Sequence, residues 1–171
     1  HKDIDGFHSH NLARLNDEAT DKIIPPVYSV IITMLQSINY DLTGKQVCLV
    51  ANADIFENNL AGLLQHLGAK VTLAKATDNN LADQTKQADV LITAVGQPGY
   101  ITADMIKDQA VIIDIGITKV NGEVKGDVDF ASVKDKAGYL TPVPGGVGPL
   151  TIAMAFANTW QVFKQKRHDS S

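Results

Sequence analysis

The sequence holds one cysteine, Cys48, and it sits inside an apolar run. A disulfide framework within the chain is therefore excluded. That fits a reducing, cytoplasmic setting, with Cys48 read as a buried structural residue. No apolar run reaches the ~18 residues of a membrane span, and no signal-peptide pattern is present, so no membrane partner is expected. Clustered cations are scarce too: the net charge is −4, and the only basic run is Lys164, Lys166 and Arg167. Phosphate backbones are held by clustered Lys and Arg, so no nucleic-acid partner is expected. The basic run reads instead as a helix C-terminus complementing the helix dipole. His1, His8 and His10 lack a metal-ligand spacing, and no metal is expected. There is no internal repeat.

What is present suits an ordinary folded protein. The chain has 171 residues, 44% apolar and 20% charged. A chain of this length buries roughly 70% of its unfolded surface without staples. Residues 1–40 read as a linker and helix. A polar start with a turn signal at Asp5-Gly6 leads to paired prolines. An apolar helical pattern through Ile31, Met34, Leu35 and Ile38 follows. Residues 41–171 then alternate. Short apolar strands are predicted at 47–50, 71–73, 90–94, 111–115 and 139–140. Helical segments are predicted at 55–67, 81–87, 102–106, 131–137 and 151–166, with Ile152, Ala155, Phe156, Thr159 and Phe163 near one stripe of the last. A hairpin is predicted around Asn121-Gly122. The expected fold is α/β, a Rossmann-like doubly wound parallel sheet with an N-terminal linker and helix extension.

In such a sheet, ligands gather at the carboxyl ends of the strands. Four loops fall there: "ANAD", "AVGQPG", "DIGIT" and "TPVPGGVGP". The last is the most distinctive. Pro142 and Pro144 stiffen it, and Gly145 and Gly146 let a flat ligand lie against backbone. Gly148, Pro149 and Thr151 then open a helix, whose first N–H groups attract an acceptor or anion. The loop "ANAD" stands where a dinucleotide-binding protein carries its glycines, yet it has none, and Asp54 and Glu57 follow.

"TPVPGGVGPLTIAM" resembles the signature of the bifunctional methylenetetrahydrofolate dehydrogenase/methenyltetrahydrofolate cyclohydrolase family. "KDIDGFHSHNLARL" resembles that family's interdomain segment. "AVGQPGYI", "AVIIDIGI" and "VKGDVDF" resemble blocks of its cofactor domain. The similarity spans essentially all residues. It implies an oxidoreductase and hydrolase of one-carbon folate metabolism, with NADP or NAD on this Rossmann-type domain. It implies folate in a cleft shared with an N-terminal catalytic domain. The catalytic lysine and its Tyr-x-x-x-Lys motif belong to that first domain and have no counterpart here, so no catalytic residue is expected in this chain, and alone it is expected to be inactive. By the resemblance, Asp5, Pro144, Gly145, Gly146 and Val147 lie on the folate side. Asn52, Ala53, Ile55, Gly96, Gln97, Gly116, Ile117, Thr118 and Thr151 lie on the cofactor side. A homodimer through this domain is a further implication.

The sequence departs from the family at three places. Gly-Arg-Ser-x-x-Val-Gly-x-Pro is replaced by Ala51 to Asn59, which has neither glycine, nor the Arg, Ser or Pro. Cys-His-Ser-x-Thr is replaced by Ala74-Lys75-Ala76-Thr77-Asp78. Pro-Cys-Thr-Pro-x-Gly is replaced by Pro25-Pro26-Val27-Tyr28-Ser29-Val30. Glu57 places charge where phosphate would approach, and two unit charges ~4 Å apart repel by ~4 kcal/mol at an effective dielectric near 20. Asp54 and Glu57 have capping-box spacing, which predicts a helix start that satisfies its own donors. Lys75, near the adenosine side, reads as solvated or as a ribose-phosphate contact. The reading is therefore the cofactor domain of a dehydrogenase/cyclohydrolase with weakened or lost dinucleotide binding. The alternative is a degenerate relative acting as a non-catalytic or folate-side module.

Overall fold

A computed structural model describes residues 3–19 and 21–169. His1 lies outside the described residues. In chain order the first elements are helices α1 (Ser9–Ala13) and α2 (Pro26–Ser37), strand β1 (Gln46–Ala51), helix α3 (Asp54–His66) and strand β2 (Lys70–Ala74). Then come α4 (Leu81–Thr85), β3 (Val90–Ala94), a 3-10 turn (Ala103–Met105), β4 (Val111–Asp114), β5 (Thr118–Val120) and β6 (Glu123–Lys125). α5 (Phe130–Val133), β7 (Tyr139–Leu140) and α6 (Val147–Asp169) complete the chain. The chain falls into two compact units, His1–Tyr40 with Gly148–Ser171, and Asp41–Val147. The sequence reading had grouped 148–171 with the sheet.

The unit Asp41–Val147 is built on a five-stranded sheet in the order β2-β1-β3-β4-β7, parallel throughout. From β1 the chain steps one way to β2, then back past β1 to β3. Right-handed crossovers put the connections of these two steps on opposite faces. α3 accordingly packs on β1 and β2 with Leu60, Leu63 and Leu64 buried. On the other face, Cys48 and Val50 join Leu81, Leu91, Ile101, Ile106, Ile112 and Val133 in one core. Period-two alternation explains why Val47 and Leu49 point away from that core. Burial drives the Cys48 thiol up to about 12, which makes it inert. β5 and β6 form the expected hairpin, with Asn121 and Gly122 both at positive φ, 52° and 89°.

In the other unit, α2 begins at Pro26, where a missing N–H costs nothing. It buries Tyr28, Ile31 and Leu35 at helical spacing. Tyr28 meets Phe7 edge-on at 5.7 Å. α6 is fastened by side-chain amides. Asn158 donates to the carbonyls of Ile4 (2.8 Å) and Ile24 (2.9 Å), Gln161 to Lys22 (3.1 Å) and Gln165 to Asp21 (2.6 Å). The apolar stripe faces outward instead. Ile152, Phe156, Trp160 and Phe163 are exposed, while Asn158 and Val162 are buried. Backbone carbonyls of the N-terminal segment needed donors, and the polar face of α6 supplies them. Two cations of the basic run lie on α6's own aromatics, Lys164 over Trp160 and Arg167 over Phe163. Among the described residues, no helix is long and apolar enough to cross a membrane.

Candidate functional site

β1 is flanked by β2 on one side and β3 on the other, so the carboxyl ends of β1 and β3 frame the switch point of the sheet. The loops leaving them are joined: the Asn52 side-chain amide donates to the Val95 carbonyl at 3.1 Å. The next loop is tied in by Thr118, whose hydroxyl donates to the Gly96 carbonyl at 3.2 Å. The structure thus brings Asn52, Gly96 and Thr118 together at one edge. Asn52, Ala53, Ile55, Gly96, Gln97 and Ile117 are exposed there, while Gly116 is buried.

Two buried carboxylates set these loops, and sequence reasoning did not single them out. Asp127 is fully buried and accepts from the Thr93 hydroxyl (3.1 Å), the Val95 amide (2.7 Å) and the Gln97 amide (2.8 Å). Asp114 accepts from the amides of Gly116 (2.9 Å), Asp127 (3.1 Å) and Val128 (2.9 Å). Burial, with the neighbouring Asp127 charge adding to it, raises the Asp114 carboxyl above its usual range against these hydrogen bonds. The crowding explains two glycines. A Cβ on Gly116 would stand 2.2 Å from the Asp127 carboxyl carbon, and one on Gly126 2.1 Å from Asp114 Oδ2. The only sequence signals were the aspartate that opens "DIGIT", Asp114, and the first aspartate of "VKGDVDF", Asp127.

The distinctive loop begins at Thr141, whose hydroxyl accepts from the Asp114 amide at 2.8 Å. The Val143–Pro144 peptide bond is cis. Pro144 and Gly145 are exposed, and Gly146 and Val147 are buried. α6 starts at Val147, earlier than expected. Thr151 is its fifth residue, past the four amides that a helix leaves open. Asp5 and Thr151 belong to the other unit, where Asp5 is exposed.

The expected capping box is absent. Ala53 is the N-cap of α3 and offers no side-chain acceptor, which leaves Asp54 inside the first turn. Asp54 and Glu57 instead share a cation. Lys75 Nζ lies 3.1 Å from Asp54 Oδ1 and bonds Glu57 Oε1 at close range. Hydrogen bonding to Glu57 raises the Lys75 ammonium further. Glu57 is only 3% exposed, and its second oxygen has no partner. Lys75 follows β2 directly, in a turn closed by Asp78, which accepts from the Lys75 amide at 2.9 Å. The Tyr100 hydroxyl ties that turn to the β3 loop by donating to the Ala76 carbonyl at 2.6 Å. Among the described residues, no group of three His, Cys, Asp or Glu could hold a metal ion.

Known proteins carry the same architecture. A family model described as tetrahydrofolate dehydrogenase/cyclohydrolase, NAD(P)-binding domain, matches residues 25–167. The bifunctional protein FolD of Fusobacterium nucleatum is 43% identical over 166 residues, covering 97% of this chain and 59% of its own. That of Nitratiruptor sp. is 43% identical, covering 97% and 58%. A crystal structure of the Campylobacter jejuni bifunctional FolD methylenetetrahydrofolate dehydrogenase/cyclohydrolase superposes with TM-score 0.89 at 36% identity, covering 96% of this chain and 59% of that one. The Trypanosoma brucei FolD, complexed with NADP cofactor and inhibitor, gives 0.88 at 34%, with the same coverage. The chain spans less than two thirds of the length of these relatives.

Proposed function

This chain belongs to the tetrahydrofolate dehydrogenase/cyclohydrolase family as its NAD(P)-binding domain, and we propose that it serves as the cofactor half of a bifunctional enzyme of one-carbon folate metabolism. The carrying observation is the joined edge of Asn52, Gly96 and Thr118 at the switch point, with the "DIGIT" and "TPVPGGVGP" loops beside it. When bound, the nicotinamide supplies the hydride-accepting centre, while the protein seats and orients it. Gly116, Ile117 and Thr118 approach the nicotinamide, and Gly96 and Gln97 form a turn that lines the cofactor. Asn52, Ala53, Ile55 and Thr151 serve the rest of the cofactor. Asp5 and Pro144 to Val147 serve the folate, and only together with an N-terminal catalytic domain. A cytoplasmic location and a homodimer belong to the same reading.

The residues fit a dinucleotide unevenly. Ala51, Asn52 and Ala53 are small, and the α3 N-cap brings no side chain over the first turn, so a diphosphate has room. The charge opposes it, because Lys75 is already shared between two carboxylates. A second reading, favoured by that cluster, is therefore reduced dinucleotide affinity. An amide-resolved NMR titration of the chain with NAD tests both. Shifts centred on Asn52, Gly96, Gly116 and Thr118 are expected, with a dissociation constant well above the micromolar range. Shifts elsewhere would refute the site, and micromolar binding would refute the loss of affinity.

A further inference from the structure

In doubly wound nucleotide-binding folds the end of the second strand faces the adenosine ribose. An acid there takes the 2′-hydroxyl of NAD, and a nearby cation takes the 2′-phosphate of NADP. The residue at that place is Lys75, directly after β2. Read alone, it marks a 2′-phosphate site. The structure shows that this cation is already committed.

Lys75 Nζ is bound to Glu57 and to Asp54 Oδ1. Glu57 is 3% exposed, and its Oε2 has no hydrogen-bond partner. Withdrawing Lys75 would leave a buried carboxylate with neither of its oxygens paired, a costly state. Lys75 is thereby fixed on Glu57. Only its bond to Asp54 can be exchanged, since the Asp54 side chain is 81% exposed. Asp78 adds a third carboxylate on the same turn. Between Lys70, at the far end of β2, and Lys86 the sequence has no other basic residue, and none lies between Asn52 and Gln65. One ammonium is therefore shared by two carboxylates, and the third carboxylate of the turn holds the Lys75 backbone amide.

We infer that the dinucleotide site of this chain selects NAD and refuses NADP, with Asp54 and the Glu57-bound Lys75 as the specificity determinants. The inference rests on the dinucleotide reading above. A ribose diol donates hydrogen bonds, and the exposed Asp54 carboxylate accepts them. A 2′-phosphate has no such donors and needs a cation, and the one present is neutralised. The T. brucei relative, whose structure holds NADP, would then differ from this chain in cofactor choice.

Calorimetry of the chain with NAD and with NADP, carried to millimolar ligand at low salt, tests this. NAD is expected to bind at least about tenfold more tightly than NADP. Asp54→Asn should bring the ratio towards one, and Asp54→Lys should favour NADP; circular dichroism checks that both variants fold. Equal or tighter NADP binding by the unaltered chain would overturn the selectivity alone. An unchanged ratio in both variants would overturn the role of Asp54. Absence of binding by either dinucleotide would overturn the dinucleotide reading and this inference with it.

Discussion

Asp127 shows how one residue can organise a site without standing in it. Its two oxygens collect the Thr93 hydroxyl and the amides of Val95 and Gln97. All three donors belong to the end of β3 or the loop beyond it. Asp127→Asn keeps the shape but replaces one acceptor with a donor facing other donors. A loss of about 3 kcal/mol in urea unfolding is expected, because buried groups would be left unpaired. Asp114 does the same for the loop after β4 through the Gly116 amide, and each carboxylate lies against backbone that admits only glycine, Asp127 at Gly116 and Asp114 at Gly126. None of this was legible beforehand. A sequence shows aspartates and glycines, but the Asp127 bonds reach back 30 to 34 positions and those from Asp114 to Asp127 and Val128 reach 13 and 14.

Among elements, the strands were the most legible, because each is a short apolar run bounded by polar residues. The predicted strand at 90–94 coincides with β3, and 47–50 lies within β1. The helices were less so. α5 is one turn rather than seven residues, and α6 starts at Val147. The stripe on α6 could not fix burial, for a physical reason: apolar spacing says which residues share a face, not which face is buried. The buried face carries Asn158, whose amide holds two carbonyls. Asn158→Ala should therefore cost about 2 kcal/mol in chemical denaturation, through two lost hydrogen bonds. The helix start at Asp54 was placed to within one residue, yet its cap was misread. Spacing fits a capping box only if the first acid is the N-cap, and here that residue is Ala53.

For the whole molecule, the doubly wound class was legible from alternating strands and helices, and the resemblance named the loops that meet at the switch point. The charge cluster there was not legible, since Lys75 reaches Glu57 across two elements. Acid stability is likewise a property of the folded ensemble, with terms of both signs. Lys107 beside Asp89 holds that carboxyl below its usual range, helped by the Gln46 amide. Its contribution is full above the unfolded value of about 3.9 and fades as pH falls through the lower folded value. Asp89→Asn should thus cost about 1 kcal/mol at neutral pH, and the difference from the unaltered chain should vanish in strong acid. Asp114 acts oppositely. Its raised value means the fold holds that proton more tightly than the unfolded chain, so its contribution weakens as pH rises from about 3.9 through the folded value. The Asp127 clasp has one more consequence. A guest seated against Val95 and Gln97 meets backbone whose freedom was surrendered when the domain folded, so little stiffening is left for the encounter itself. Proton exchange at those two amides should be slow in the empty protein and barely slower in the loaded one.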